Sequence, residues 1–208
     1  MSFQEYYEEY WAREAPSPLS DPFTQTRLRL LREELARTAA RRVLDVGCGT
    51  GAVVAALAAD GFDASGIDIS SNAIAFAAQA HPACSFTMHS VEDLSWPVEE
   101  GSIDAVAAFE VIEHLLRPRR LFEGARRVLT PGGHLALTTP YHGLLKNVAV
   151  ALLAFDRHFA VEGDHIRFFT DRGLRRLLEE TGFHIERIAH FGRCRGLWAG
   201  VFVWARKR

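Results

Sequence analysis

Residues 43–51 read VLDVGCGTG, and this stretch decides the fold of the chain. Residues 43–46 have the length and apolar character of a short buried strand, and Gly47 ends it. Residues 52–59 follow as an alanine-rich helix, which ends before Gly61. A strand joined to a helix by a glycine-rich turn predicts a β–α unit whose turn can approach a ligand more closely than a side chain would allow.

The same alternation of helix and strand continues on both sides of this stretch. Helices are predicted at 26–40, 71–80, 119–129 and 171–181. Further strands are predicted at 64–69, 85–88, 103–109, 134–139, 183–189 and 197–204. Apolar runs without regular alternation are typical of parallel strands that are covered on both faces. The sequence therefore predicts an α/β fold with a doubly wound, mostly parallel sheet.

The length of 208 residues fits one domain with additions. Residues 1–25 are aromatic and acidic, then rich in proline, and are predicted to form an N-terminal arm. Residues 26–208 are predicted to form a single domain. Its alternation is interrupted at about residues 141–168, which follow the fifth helix–strand unit and carry an apolar run. This insertion is interpreted as a lid.

The charge of the chain argues against a polyanionic partner. Its 24 basic and 26 acidic side chains give a net charge of −2, so nucleic acid is not an expected partner. The cysteines Cys48, Cys84 and Cys194 match neither a disulfide framework nor a zinc pattern, which favours a reducing cytoplasm. The N-terminus lacks the pattern of an export signal, and the longest apolar stretch, 148–155, is shorter than the roughly 20 residues that span a bilayer. The oligomeric state stays open.

Two features predict an adenosine cofactor at the glycine-rich turn. Ligands of open α/β sheets bind beyond the carboxyl ends of the strands, which is where this turn lies. Asp68 ends the second predicted strand about 20 positions after Gly47, a spacing at which a carboxylate accepts hydrogen bonds from ribose hydroxyls. The glycine pattern alone also allows a nicotinamide dinucleotide, and with it an oxidoreductase.

Five motifs in order along the chain give a more specific indication. They are VLDVGCGTG (43–51), GIDIS (66–70), VEDL (91–94), FEVIEHL (109–115) and RVLTPGGHLALTTP (127–140). Together they resemble the class I S-adenosylmethionine (SAM)-dependent methyltransferases. The resemblance implies a Rossmann-like, seven-stranded sheet whose last hairpin is reversed, with SAM as cofactor and S-adenosylhomocysteine (SAH) as product.

The resemblance also implies roles for individual residues. Asp68 would hold the ribose, Ile69 would cover the adenine, and Phe109 would lie beneath the sulfonium carbon. Arg27 or Arg29 would reach the carboxylate of the cofactor. The residues implied beside its methionine part are Asp45, Gly47, Cys48, Gly49 and Gly51. The residues implied at the edge of the adenine are Ser90, Val91 and Glu92.

The residues after the fourth predicted strand are candidates for the chemistry of the methyl acceptor. A hydroxyl acceptor must lose its proton, which requires a base or a metal ion. Glu110, Glu113 and His114 would share one face of a helix that begins by Glu110. A divalent cation would neutralise the two carboxylates, and His165, from another loop, would complete the site. This set resembles the metal site of small-RNA 3′-end 2′-O-methyltransferases, and the motif is similar to that of the ubiquinone-pathway O-methyltransferases.

Other interpretations stay open. Without a metal, the glutamates and His114 would cap the start of the helix and form hydrogen bonds. With or without a metal, His114 or His165 would accept the proton or contact the substrate. The favoured function is methyl transfer to a small-molecule acceptor, through a hydroxyl group. The alternatives are an RNA 3′-end 2′-O-methyltransferase, which the near-neutral charge disfavours, and a non-catalytic methyltransferase-like binding protein. The sequence does not identify the acceptor.

Two apolar segments are expected close to the site. Residues 141–160 would cap an apolar acceptor, lie on a bilayer surface as a peripheral contact, or pack as an ordinary helix. The N-terminal aromatic residues recur at helical spacing and would either fold over the cofactor or dock as a surface helix. They are Phe3, Tyr6, Tyr7, Tyr10 and Trp11.

Overall fold

One seven-stranded sheet organises the residues that the structure describes. The structure is a computed structural model, and it describes residues 3–13, 22–93, 95–155, 165–192 and 197–208. The strands are β1 (Arg42–Val46), β2 (Asp63–Asp68), β3 (Ser85–Met88), β4 (Ile103–Phe109), β5 (Leu129–Pro140), β6 (Phe183–Phe191) and β7 (Gly200–Lys207). The helices are α1 (Phe3–Arg13), α2 (Pro22–Leu35), α3 (Ala52–Ala59), α4 (Ser71–Ala80), α5 (Arg119–Val128), α6 (Leu144–Leu153) and α7 (Asp171–Glu180).

The strand order in the sheet is β3-β2-β1-β4-β5-β7-β6. β1 pairs in parallel with both β2 and β4, and the β2–β3 and β4–β5 pairs are also parallel. β7 is antiparallel to both of its neighbours, β5 and β6. The predicted α/β class, with a doubly wound, mostly parallel sheet and a reversed last hairpin, is confirmed. The strand order reverses at β1, so a ligand crevice is expected at the carboxyl ends of β1 and β4.

Helices cover both faces of the central strands. Successive residues of a strand point to opposite faces of a sheet. In β4, Ala105 and Ala107 pack in a buried cluster with leucines of α2. Val106 and Ala108 pack in a second cluster, which includes Phe122 of α5 and leucines of α7. β4 therefore has no solvent-facing side, which is the physical reason for its almost uninterrupted apolar sequence.

Some element boundaries differ from those predicted. α2 spans Pro22–Leu35 rather than 26–40, because turn hydrogen bonds such as Thr38 N–H to the Leu35 carbonyl end it early. Its first turn thus lies within the predicted arm. β5 begins at Leu129 rather than at residue 134, since Ile103 of β4 already pairs with Leu129. β7 spans Gly200–Lys207 rather than 197–204, and its last residue still pairs with the start of β6.

The segment after β4 does not form the helix that the sequence suggested. Glu110, Glu113 and His114 were expected on one face of a helix beginning by Glu110. Glu110 instead has a φ of 54°, in the left-handed region that few residues other than glycine adopt. Only a short 3₁₀ helix, Ile112–His114, follows it. Glu110 therefore does not share a helical face with Glu113 and His114.

The predicted arm and lid are each described in part. α1 lies within the arm and packs against α4, and α6 lies within the lid. Residues 165–170 run towards α7 without helix or strand. The end of the arm (14–21), the last residue of the VEDL motif, the middle of the lid (156–164) and Cys194 lie outside the described residues. No helix in the described part of the chain is both long enough and apolar enough to cross a membrane.

Candidate active site

A cavity of about 250 Å³ lies at the carboxyl ends of β1, β2, β3 and β4. Its floor and sides come from the loops that follow these strands, and α1 supplies a further wall. The lining residues are Tyr7, Tyr10, Trp11, Gly47, Asp68, Ile69, Ser90, Val91, Glu92, Glu110, Val111, His114 and Leu115. This is the edge at which an open α/β sheet binds its ligands.

The glycine-rich turn is shaped for close contact with a ligand. Gly47, Gly49 and Gly51 have φ values of 74°, 50° and 76°, which residues with a Cβ atom rarely adopt. A Cβ atom on Gly47 would overlap the side chain of Val111, and one on Gly49 would lie 2.9 Å from the ring of Trp11. Both partners line the cavity, so side chains on this turn would displace its walls. The turn is therefore a cradle of the kind that a cofactor needs.

Asp68 ties the glycine-rich turn to the start of α4. Its side chain is buried at the end of β2, with 6% of the residue exposed. Its carboxylate accepts hydrogen bonds from the N–H of Gly49 at 2.9 Å and from the N–H of Ser70 at 3.0 Å. Burial raises the pKa of Asp68, and these backbone donors oppose that shift. Asp68 also lines the cavity, so it lies where the ribose of the cofactor was expected.

The residues predicted around the cofactor separate into two groups. Those that line the cavity are Gly47, Asp68, Ile69, Ser90, Val91 and Glu92. Those that lie outside its lining are Asp45, Cys48, Gly49, Gly51 and Phe109. Cys48 packs against Gly66 of β2, and Gly51 faces Phe86 of β3. Phe109 packs towards the cluster around α2, on the other side of the sheet from Val106 and Ala108. The cofactor contacts of both groups stay predictions.

Asp45 is a buried acid next to the cradle. It is 4% exposed, and burial together with the negative charge of Asp68 raises its pKa to about 7 from an ordinary value of 3.8. Around neutral pH a large share of Asp45 is therefore protonated in the folded chain. The SAM cofactor carries positive charge on its sulfonium and amino groups, which would favour the ionised form of this carboxyl group.

The contribution of Asp45 to the free energy of unfolding is expected to fall as the pH rises from about 4 to about 7. In this range the folded chain keeps a proton on Asp45, whose folded pKa is about 7, while the unfolded chain has lost it. The Asp45→Asn variant lacks this proton, so the slope over the same range should be smaller. Urea unfolding at several pH values measures it, and a wild-type slope that the variant reproduces would contradict the assignment.

A second set of side chains meets beside the cavity. One donor atom each from Glu113, His114 and His165 lies within 4.8 Å of the other two. The rings of the two histidines contact each other, with their centroids 4.9 Å apart. His165 is placed there because the backbone carbonyl of Glu113 accepts hydrogen bonds from the N–H groups of Ile166 and Arg167, both at 3.1 Å. Three of the residues predicted as metal ligands are thus brought together.

Glu113 is the most buried member of this cluster. It is 1% exposed, and its Oε2 accepts a hydrogen bond from Thr139 at 3.1 Å. Its Oε1 is buried and has no hydrogen-bond partner among the described residues. Burial, and then the negative charge of Glu110, raise the pKa of Glu113 well above its ordinary value. A buried carboxylate oxygen without a donor is costly, unless a proton or a cation is held there.

Glu110, the fourth predicted ligand, lies outside the group of three. Its carboxylate pairs with Arg27 of α2 at 3.3 Å and accepts a hydrogen bond from Thr138 at 2.8 Å. The left-handed backbone at Glu110 is the reason that the expected helical spacing does not apply. Of the two arginines predicted near the cofactor, Arg27 contacts this lining residue, whereas Arg29 pairs with Glu33 on the exposed side of α2.

Several residues of the site were not predicted from the sequence as site residues. Val111 and Leu115 line the cavity, and both lie in the FEVIEHL motif, whose apolar positions were a signal. Thr139 contacts Glu113, and only the run of threonines at the end of β5 pointed to it. Glu8, whose carboxylate binds the start of α4, gave no signal beyond its place between Tyr7 and Tyr10.

Comparisons with known proteins give the following matches. Residues 17–188 match a protein family described as a methyltransferase domain. The ubiquinone biosynthesis O-methyltransferase of Thiobacillus denitrificans is 29% identical over 164 residues, which cover 74% of this chain and 68% of that protein. The protein of the same name from Xanthomonas oryzae is 31% identical over 134 residues, which cover 62% of this chain and 55% of that protein. The chain thus spans between about half and two thirds of the length of these relatives.

A solved structure is similar over almost its whole length. The magnesium protoporphyrin IX methyltransferase of Synechocystis PCC 6803, with bound SAH, superposes with a TM-score of 0.73 at 18% identity. The superposition covers 99% of this chain and 98% of that one. At this level of identity the likeness shows a shared fold.

Proposed function

Since this chain belongs to the methyltransferase domain family and is a SAM-dependent methyltransferase, we propose that it transfers the methyl group to a hydroxyl group of a small, largely apolar acceptor. The observation that carries the proposal is the cluster of Glu113, His114 and His165, of which His114 lines the cofactor cavity. Imidazole and carboxylate groups at this place can remove a proton from a hydroxyl acceptor. A neutral amine acceptor would not need that arrangement to the same extent, because its lone pair attacks before a proton is lost.

Different residues of the cavity have different roles in the proposed reaction. Bound SAM supplies a methyl group that its sulfonium makes electrophilic. Asp68 and the glycine-rich turn hold and orient the cofactor, and the apolar walls, such as Val111, exclude water. The acceptor hydroxyl would give its proton to Nε2 of His114, which lies 4.0 Å from Oε1 of Glu113, and the imidazolium so formed would favour the ionised form of that carboxyl group.

The same cluster also fits a divalent metal ion. Carboxylate oxygen and imidazole nitrogen are ligands that zinc and manganese accept, and the buried Oε1 of Glu113 is free to serve as one. A bound ion would lower the pKa of the acceptor hydroxyl. We include Glu113, His114 and His165 as its ligands. Glu110 would join them only by giving up its contacts with Arg27 and Thr138.

Two observations support the choice of acceptor. Curated relatives are named as ubiquinone biosynthesis O-methyltransferases, which favours oxygen as the methylated atom. α6 follows β5 at the ligand edge of the sheet and exposes large apolar side chains, with Leu144 at 80% and Leu153 at 85%. A helix of this kind would cap an apolar acceptor or lie on a bilayer surface from which the acceptor is drawn. That peripheral contact and a cytoplasmic location stay predictions.

Methyl transfer from radiolabelled SAM to matched phenols and anilines tests the proposal. Phenols are expected to be methylated, and anilines of the same shape are not. An aliphatic chain on the phenol should lower KM, by up to about fourfold for each methylene group that becomes buried. Transfer to the anilines in preference to the phenols would contradict the proposal. An unchanged KM along the series of chains would contradict the apolar acceptor.

A further inference from the structure

α1 places aromatic side chains both at the glycine-rich turn and at His114. Tyr7, Tyr10 and Trp11 all line it. The ring of Trp11 lies against Gly49 of the cradle, while the ring of Tyr7 meets that of His114 edge-on, with the centroids 5.9 Å apart. Edge-on contacts between Tyr7 and Tyr10 and between Tyr10 and Trp11 join the three rings into one surface. α1 therefore contacts the cofactor cradle and the proposed proton acceptor at once.

Glu8, between Tyr7 and Tyr10 in the same helix, fixes α1 to the start of α4. Its carboxylate accepts hydrogen bonds from the N–H groups of Ser71 at 2.7 Å and Asn72 at 3.0 Å, and from the hydroxyl of Ser70 at 2.8 Å. The side chain of Asn72 donates to the backbone carbonyl of Glu8 at 3.0 Å. A carboxylate is well placed at a helix N-terminus, because the first N–H groups have no partner within the helix and carry partial positive charge.

The hydrogen bonds to Glu8 favour the ionised form of its carboxyl group. Burial opposes its ionisation, but the N–H groups of Ser71 and Asn72 and the hydroxyl of Ser70 outweigh that effect and lower its pKa. These are charge-assisted hydrogen bonds, which are stronger than those between neutral groups. One of these hydrogen bonds comes from Ser70, whose backbone N–H donates to the carboxylate of Asp68. Glu8 and Asp68 thus both accept hydrogen bonds from Ser70, Glu8 from its hydroxyl and Asp68 from its N–H.

We propose that α1 covers the bound cofactor and that the hydrogen bonds of Glu8 to α4 hold α1 in this position. α1 must move away from the cavity for SAM to enter and SAH to leave. The aromatic side chains of α1 shield the cofactor from solvent during methyl transfer. The cavity opens when the hydrogen bonds between Glu8 and the start of α4 break. Glu8 is a positioning residue here, because it acts through Tyr7, Tyr10 and Trp11. Cofactor exchange does not involve the methyl acceptor, so this role of α1 does not depend on which acceptor is methylated.

The dissociation rate of SAH tests this proposal, and it needs no acceptor. Stopped-flow displacement of SAH from the full-length chain by excess SAM measures the rate. Glu8→Ala removes several charge-assisted hydrogen bonds, so SAH should dissociate at least about tenfold faster and bind correspondingly more weakly. Glu9→Ala, at the exposed neighbouring position of the same helix, is the matched control and should stay within about twofold of the wild type.

A second variant removes one of the α4 groups that hydrogen-bond to Glu8. Ser71→Pro removes the N–H that binds Glu8, at the first residue of a helix, where proline is tolerated. Ser70 before it is extended, with a ψ of 124°, as the residue before a proline prefers. Both variants should release SAH faster while the thermal midpoint of the SAH-free protein stays within a few degrees of the wild type. SAH dissociation at the wild-type rate in the folded variants would overturn the proposal.

Discussion

The Asp68→Asn variant is expected to bind SAH about a hundredfold more weakly than the wild type. Asp68 lines the cavity at the end of β2, where its carboxylate would accept hydrogen bonds from both ribose hydroxyls. Asparagine has one acceptor oxygen and no charge, so it loses one such bond and weakens the other. Hydrogen bonds to a charged group are worth about 1.5–3 kcal/mol each, which corresponds to the expected loss. Isothermal titration with SAH measures it.

Asp63→Asn is the matched control for this experiment. Asp63 begins the strand that Asp68 ends, and it is exposed. Its variant should bind SAH as the wild type does. Asp68 also accepts hydrogen bonds from Gly49 and Ser70, so thermal unfolding must show that the Asp68→Asn variant is folded. An SAH affinity within about threefold of the wild type would show that Asp68 does not hold the ribose.

The His114→Asn variant is expected to transfer the methyl group between about a hundred and ten thousand times more slowly, which is the usual contribution of a positioned general base. His114 lines the cavity and contacts Tyr7 and His165 through its ring. SAH affinity should change far less, because the residues proposed to hold the cofactor are Asp68 and the glycine-rich turn. Single-turnover rates with a phenolic acceptor measure transfer separately from binding.

His184→Asn, on an exposed position of β6, is the control for this substitution and should leave the rate unchanged. A His114→Asn variant that keeps more than about half of the wild-type rate would show that His114 takes no part in proton removal.

Chelation and two further variants distinguish a base from a metal site. With a metal ion, chelation abolishes transfer, and zinc or manganese binding is lost in both His165→Asn and Glu113→Gln. With a base alone, chelation leaves the rate unchanged.

The strands, the glycine-rich turn and the position of Asp68 could be predicted from the sequence, because the signals for them are local. An apolar run bounded by glycine predicts a buried strand, whether or not its neighbours are known. The bounds of α3 and α4 agree with the predicted ranges 52–59 and 71–80. The boundary of β5 was less well predicted, because Leu129 is a strand residue only through its pairing with Ile103.

The arrangement of the side chains near the proposed methyl acceptor depends on tertiary contacts, so the sequence predicted it less well. Helical spacing suggested that Glu110 would act with Glu113 and His114. The left-handed backbone at Glu110 and its ion pair with Arg27 separate it from them. Conversely, His165 lies about fifty residues away in the sequence and reaches the cluster through hydrogen bonds to the backbone of Glu113. Neither outcome has a counterpart in the periodicity of the sequence.

The sequence by itself determined the β–α alternation, the sheet covered on both faces, the cradle at Gly47 to Gly51 and the carboxylate at the end of β2. These features follow from the conformational preferences and hydrophobicity of neighbouring residues. The motifs also suggested that Glu113, His114 and His165 would meet, which the structure shows. Only the tertiary structure decided that Glu110 turns to Arg27 and that Glu8 fixes an aromatic helix over the cavity. Each of these contacts joins segments distant in the chain, and its partner is chosen by packing and charge rather than by sequence spacing.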